Sequence, residues 1–273
     1  MKKLFDGVAT ALVTPFKKGE IDWTAFGRLI EKQIEGGVDA LVVLGTTGEA
    51  STISDTERQA VVNFCIDIVK ERVPVIVGTG GNNPKKIVEY GLLAKKAGAS
   101  GVMITAPYYN KTTQPGIIKF FEYLTKQISH PIIVYNVPGR TGMNILPSTL
   151  ARLCMLKHIV GIKESSGDIE QIAEVINLCG KTPVYCGDDT LALPCYALGC
   201  AGIISVASNA RPKETKQLYA LIKKRKLREA KALFYDQLGF YKSLFTSVNP
   251  VPIKQILSEM KICRNEVRLP LVT

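Results

Sequence analysis

Two hydrophobic rhythms alternate along this chain. Short unbroken apolar runs mark strands buried on both faces, and longer stretches with apolar residues every three or four positions mark amphipathic helices. The first run covers residues 7–14, and after Asp22 the residues Phe26, Leu29, Ile30 and Ile34 share one helical face. Further runs lie at 40–44, 75–77, 101–105, 132–135, 158–163, 184–186 and 203–206, which makes eight. Between them, Ser54-Asp55-Thr56-Glu57 has the spacing of a capping box, with Val61, Cys65, Ile68 and Val69 on the helix behind it. Asn83-Pro84 starts a helix with proline in its first turn, and Ile117, Phe121, Leu124 and Ile128 line the next one. Gly167-Asp168 opens another. After residue 210 the strand pattern stops, and helices are expected near 213–223, 227–246 and 250–260.

Eight strands joined by helical crossovers predict a closed parallel barrel, because such crossovers are right-handed and strand order then follows the sequence. The alternative, an open doubly wound sheet, is disfavoured by the missing Gly-x-Gly-x-x-Gly after the first strand. The expected architecture is an α/β, (β/α)8 TIM barrel over residues 1–210 with a C-terminal helical extension over 211–273. A length of 273 residues and an apolar content of 46% suit one such barrel.

Composition narrows the class. No apolar run approaches the roughly 20 residues of a membrane span. The N-terminus soon turns polar, so no signal peptide and no membrane are expected, and the expected location is cytoplasmic. Seven scattered cysteines without a Cys-x-x-Cys pair read as reduced thiols. The net charge of +11 is densest at Lys223-Lys224-Arg225-Lys226, where no aromatic residues interleave. That reads as a solvated helix face, and no nucleic-acid partner is expected.

In a parallel barrel the chemistry gathers at the C-terminal ends of the strands. Those ends hold Thr46, Thr47, Tyr109, Tyr135, Arg140, Lys163 and Ser205. Alternation along 158–163 turns Lys163 to the same side as Gly161 and Ile159. A lysine on a buried face loses hydration, which favours the neutral amine that forms a Schiff base. Alone, Lys163 reads more readily as a strand-end lysine reaching into water, so the rest of the chain decides. Tyr135, at the end of the neighbouring strand, is placed to move protons beside such an imine, or is simply a core tyrosine. Gly45-Thr46-Thr47-Gly48 offers N–H groups and hydroxyls to a carboxylate, or is only a glycine turn. Arg140 suits a second carboxylate, or an ordinary ion pair. Both histidines, His130 and His158, lie at strand starts on the opposite rim, so no histidine metal cluster and no metal or other cofactor are expected. Asp188 and Asp189 stand where barrels often cradle phosphate and would repel one. The expected ligand is a small, non-phosphorylated carbonyl acid.

Three stretches carry a resemblance. Gly45-Thr46-Thr47-Gly48-Glu49, Tyr135-Asn136-Val137-Pro138-Gly139-Arg140-Thr141-Gly142 and Gly161-Ile162-Lys163-Glu164 resemble the dihydrodipicolinate synthase / N-acetylneuraminate lyase family, over about residues 5–272. Pro138-Gly139-Arg140-Thr141-Gly142 points to its synthase branch, since the sugar-acid lyases lack that arginine. The resemblance implies a lyase of lysine and diaminopimelate biosynthesis that condenses pyruvate with L-aspartate 4-semialdehyde to 4-hydroxy-tetrahydrodipicolinate. It implies that Lys163 forms the imine and that Thr46 and Thr47 lie near the pyruvate carboxylate. Tyr135, Thr46 and Tyr109 match a proton relay, with Tyr109 reaching across from a neighbouring subunit, so a homo-oligomer of at least two copies is expected. Arg140 matches the residue holding the semialdehyde carboxylate, and the Ile204 carbonyl matches one facing the lysine. The alternatives are another pyruvate lyase on the same scaffold and a non-enzymatic carbonyl-acid binder.

Two departures from the family's pattern stand out. Arg268-Leu269-Pro270-Leu271-Val272-Thr273 resembles a segment that relatives follow with one more helix, so assembly is expected to differ from the family's tetramer of tight dimers. In lysine-inhibited members a glutamate binds the free amino acid at the dimer interface. Lys86 occupies its position here, with Ala50, Asp55 and Arg58 at three neighbouring pocket positions while Asn82 and Tyr108 are kept.

Overall fold

The structure is a computed structural model that describes residues 3–273. Eight strands close a parallel barrel: β1 Gly7–Ala11, β2 Ala40–Val43, β3 Val75–Gly78, β4 Gly101–Thr105, β5 Ile132–Asn136, β6 Ile159–Glu164, β7 Val184–Cys186 and β8 Gly202–Ser205. Each pairs with its neighbours in sequence, and β8 closes onto β1 through Ala9–Ile204 and Thr10–Ser205. The barrel and the C-terminal helices are as expected. The first strand ends at Ala11, short of Thr14, and a small antiparallel hairpin, Phe16–Lys17 with Glu20–Ile21, follows it. Two-residue strands carry too little pattern to be read in advance.

The expected helix starts hold. Asp22 caps Trp23–Glu35 by accepting from the Ala25 amide at 3.0 Å. Ser54 and Glu57 form the reciprocal box that opens Asp55–Val69. Asn83 caps the helix Pro84–Lys96. Each satisfies amides that a helix end leaves without partners.

Alternation divides the core into two layers. Inside the barrel lie Ala9, Ala11, Ala40, Val42, Ile76, Met103, Ile133, Tyr135, Tyr185 and Ile204. Phe5 plugs the lower end, stacked on Tyr185 at 4.2 Å between centroids, and the Tyr185 hydroxyl donates to the Phe5 carbonyl at 2.9 Å. The other faces of the strands meet the helices in the larger layer, which also takes in Leu218, Phe234, Tyr241, Ile253 and Leu257 from the C-terminal helices.

One expectation about β6 is corrected. Ile132 pairs with Ile159, but Ile133 pairs with Gly161, so Val160 is an extra residue that β5 does not match. Such a bulge shifts the alternation by one. Ile159 therefore joins the outer layer with Ile132, while Gly161 and Lys163 keep the inward side. Gly161 is needed there, since a Cβ would lie 2.9 Å from Cε2 of Tyr185.

All seven cysteines are free and buried, and Lys223, Lys224, Arg225 and Lys226 are exposed, as read from the sequence. Among the described residues no helix is long and apolar enough to cross a membrane, and no group of three or more His, Cys, Asp and Glu side chains could hold a metal ion.

Candidate active site

Register brings the two central side chains together. Tyr135 and Lys163 are partners across β5 and β6, both pointing into the barrel and both nearly excluded from solvent. The Lys163 ammonium lies 4.2 Å from the centroid of the Tyr135 ring, a cation–π contact. Gly187, just past β7, makes room for the lysine stem: a Cβ there would lie 2.9 Å from Cε of Lys163. Ser165 Oγ, against the same glycine, is buried without a hydrogen-bond partner, and so is Oδ2 of Asp188.

The two aspartates expected to act alike do not. Asp189 is spent on structure. Its Oδ1 accepts from the Ser205 hydroxyl at 2.5 Å, and its Oδ2 accepts from the Val206 and Ala207 amides at 3.0 Å each. It thereby ties the turn after β8 to the one after β7. Asp188 keeps an unpartnered oxygen, and burial pushes its carboxyl up to about 6 although the charge of Lys163 pulls it down.

The turn after β2 is the second part. The Gly48 and Glu49 amides bond back to the Gly45 and Thr46 carbonyls at 3.1 Å, so these two N–H groups are consumed within the turn. The turn also carries the hydroxyls of Thr46 and Thr47. Thr46 is half-buried and lines the cavity. Thr47 is buried, and its Oγ1 accepts from Nδ2 of Asn249 at 3.0 Å. Asn249 was not anticipated, because its role depends on a contact 202 residues away in sequence.

Arg140 sits on a single helical turn, Pro138–Thr141, and its Nη2 donates to the Asn249 carbonyl at 3.4 Å. The segment carrying it is moored below. Asn136 Nδ2 donates to both Glu164 oxygens at 3.1 and 3.0 Å, and its Oδ1 accepts from the Ile145 amide at 3.0 Å. Asn144 and Gln171 extend the network. Burial raises the Glu164 pKa, and these donors oppose the rise.

Thr46, Tyr135 and Arg140 thus line one cavity of about 480 Å³, together with Asn249, Pro270 and Leu271. Lys163 stands beyond the Tyr135 ring, so Tyr135 is common to both. Ile204 is fully buried inside the barrel beside Ala9. Tyr109 is not brought in by its own chain: it is 93% exposed at φ +70°, while its neighbour Tyr108 lines the cavity. The far wall carries Lys86 and Arg58. Lys86 donates to Asp55 at 2.8 Å and to Glu89 at 3.1 Å, and Asp55 also accepts from the Tyr90 hydroxyl at 2.5 Å.

A buried lysine beside a tyrosine, two hydroxyls on a tight turn and an arginine at the mouth suit imine chemistry on a small acid. The sequence model of the Dihydrodipicolinate synthetase family matches residues 4–273. The chain belongs to that family. It is 45% identical to the 4-hydroxy-tetrahydrodipicolinate synthase of Thermotoga neapolitana, over 98% of this chain and 93% of the relative. The crystal structure of the dihydrodipicolinate synthase of Thermotoga maritima superposes with a TM-score of 0.97 at 42% identity, over 98% of this chain and 93% of that one. The chloride-inhibited dihydrodipicolinate synthase of Acinetobacter baumannii, solved with pyruvate, gives 0.95 at 38%, over 98% and 92%.

The Asp188 carboxyl yields a pH prediction. Its folded pKa of about 6 lies above the ordinary 3.8, so the folded state holds this proton more tightly. Stability from this group is therefore present below 3.8 and lost as pH rises through about 6. Relative to Asp188→Asn, the native protein should melt progressively lower across that window. Melting curves of both proteins from pH 3.5 to 7 check this, and a constant difference would contradict it.

Proposed function

We propose that this chain condenses pyruvate with L-aspartate 4-semialdehyde to 4-hydroxy-tetrahydrodipicolinate, the reaction its named relatives suggest. The observation that carries the reading is the Tyr135–Lys163 pair inside the barrel, with the Thr46–Thr47 turn and Arg140 around the adjoining cavity. Residues 1–210 form the barrel that carries the chemistry, and the extension, 211–273, supplies Asn249.

The neutral amine of Lys163 attacks the keto carbon of pyruvate. The resulting carbinolamine loses one water to give the imine, and Tyr135 moves the protons. Thr47 donates its hydroxyl to the pyruvate carboxylate, and the Ile204 carbonyl faces the lysine side. Loss of a methyl proton gives an enamine, whose carbon attacks the aldehyde of the second substrate while Arg140 grips that substrate's carboxylate. The semialdehyde's amine then adds to the imine carbon, closes the ring and expels Lys163 as a free amine. One water leaves overall, and no cofactor enters. Tyr109 completes the relay of Tyr135 and Thr46 from a second copy, which its exposure on this chain supports. The working form is a homo-oligomer, at least a dimer, acting in the cytoplasm.

Borohydride added with pyruvate should attach a reduced pyruvyl group to Lys163, located by intact mass and peptide mapping. Label on another lysine, or turnover of sugar acids in preference to the semialdehyde, would sink the reading.

Arg140→Ala should cost roughly ten- to hundredfold in kcat/KM for the semialdehyde, since a charge-assisted contact is worth on the order of 1.5 to 3 kcal/mol. Pyruvate labelling of Lys163 should persist. Steady-state kinetics with each substrate varied in turn measure this, and lost pyruvate binding with normal semialdehyde kinetics would reverse the assignment.

Free lysine should not inhibit. Two cations, Lys86 and Arg58, line the far cavity wall, and Asp55 already serves Lys86 and Tyr90. A cation facing an ammonium at 4 Å costs about 1 kcal/mol even in water. Titrating lysine at saturating substrates tests this, and half-inhibition below about a millimolar, roughly −4 kcal/mol of binding, would refute it.

A further inference from the structure

We propose that the buried Glu49–Lys254 ion pair positions the Thr46–Thr47 turn, which makes Lys254 a positioning residue for substrate binding although it lies outside the cavity. The inference rests on the reading of that turn as the seat of the pyruvate carboxylate. Lys254 is a second buried ammonium, and the imine chemistry does not use it. Its side chain is 0% exposed and that of Glu49 2%.

The pair is fully engaged on both sides. Lys254 Nζ donates to Oε1 of Glu49 and, at 2.8 Å, to the Glu266 carbonyl, and it stands 4.0 Å from the centroid of the Phe16 ring. Oε2 of Glu49 accepts from the Arg268 amide at 2.9 Å. Arg268 covers the other contact of the same ring at 4.4 Å and holds Glu57, the Thr52 carbonyl and the Gly19 carbonyl. The Glu266 carboxylate accepts from the Lys18 and Gly19 amides at 2.9 and 2.5 Å. The Glu266 carboxylate and Arg268 thereby tie the C-terminal segment to the hairpin, and the Glu49 carboxylate ties it to the turn.

That carboxylate belongs to the last residue of the substrate turn. Glu49 has a left-handed backbone, φ 54°, and its amide bonds to the Thr46 carbonyl at 3.1 Å. Anchoring its side chain fixes where the turn ends. Lys254 lies on the helix Val251–Glu259, and its amide bonds to the carbonyl of the capping Pro250 at 3.0 Å. Asn249 stands just before that cap, its Nδ2 donating to Thr47 Oγ1 and its carbonyl accepting from Arg140. A hydroxyl has one hydrogen and two acceptor sites. Because Thr47 Oγ1 accepts from Asn249, its own hydrogen is directed elsewhere and can serve a carboxylate. The ion pair sets the helix that sets Asn249, and so reaches both Thr47 and Arg140.

A buried ion pair adds little net stability, and replacing both partners by neutral residues of similar volume is often tolerated. The double variant Glu49→Gln with Lys254→Met uses this. Its KM for pyruvate should rise about tenfold, with kcat within about twofold and full borohydride labelling of Lys163 at saturating pyruvate. A folded double variant with the native pyruvate KM overturns the proposal, as does a lower melting temperature with unchanged KM. Glu49→Asp keeps the charge and shortens the arm by one methylene, so it tests the same point should the double variant fail to fold. It must also raise the pyruvate KM, and a native value overturns the proposal. Thr47→Val run alongside separates the two readings. A raised KM in Thr47→Val with a native KM in the pair variants removes the positioning role alone. Native values in all of them remove the carboxylate site and the positioning role together.

Discussion

Among the described residues two lysine side chains, Lys163 and Lys254, are buried, and what surrounds each decides what it can do. A charge taken out of water needs a partner or must give up its proton. Lys254 receives the first solution. Burial lowers its pKa, the Glu49 carboxylate opposes that, and the side chain serves as an internal tie. Lys163 receives no carboxylate within ion-pair distance among the described residues, only the face of Tyr135. The same residue type is structural where it is paired and chemically available where it is not. The rest of the upper barrel follows from leaving Lys163 that way: glycines at 161 and 187 clear its stem, and the partner strand places a phenol beside it.

The barrel itself was plain from the chain, because its strands are buried on both faces and its helices carry caps of the Ser54–Glu57 kind. Local pattern also singled out Lys163, Tyr135, Thr46 and Arg140 as candidates, since all lie at or past the end of an apolar run. The fold sets Tyr135 beside Lys163 and lines one cavity with Thr46, Tyr135 and Arg140. Pattern failed where geometry is decided at a distance. The bulge at Val160 changes which residues share a face, yet Val and Ile are interchangeable in an apolar run, so nothing in the string of letters marks the extra residue. Asn249 and Lys254 are more than 200 positions from their partners, and a lone lysine in a helix otherwise reads as a solvated one. Tyr109 shows the opposite limit. Its exposure is plain in the fold, and its own chain leaves it 93% exposed.

Neighbouring aspartates make the same point about environment. Asp188 and Asp189 are adjacent in sequence and look equivalent as charges. Asp189 faces the start of the turn after β8, where two amides and a hydroxyl are waiting, and becomes a brace. Asp188 lies where the charge of Lys163 reaches it but no donor meets its Oδ2. A one-residue difference in direction separates a structural carboxylate from one whose proton is held unusually tightly.

These contrasts bear on how a loop can hold substrate groups in place. Fixing the backbone costs about 1–2 kcal/mol per residue, and a turn has no strand ladder to offset it, so a binding turn needs anchors beyond its own hydrogen bonds. The Thr46–Glu49 turn has two bonds within itself and a third from Thr14 to the Gly48 carbonyl at 2.8 Å. The Glu49 carbonyl also accepts from the Thr52 amide and hydroxyl, and three further anchors, Asn249, Lys254 and the Arg268 amide, come from the last 25 residues of the chain, 249–273. The helices beyond the barrel therefore act on the substrate side of the molecule. A barrel can place a lysine by register alone, but the groups that orient what the lysine attacks sit on turns, and here a distant part of the chain holds them still.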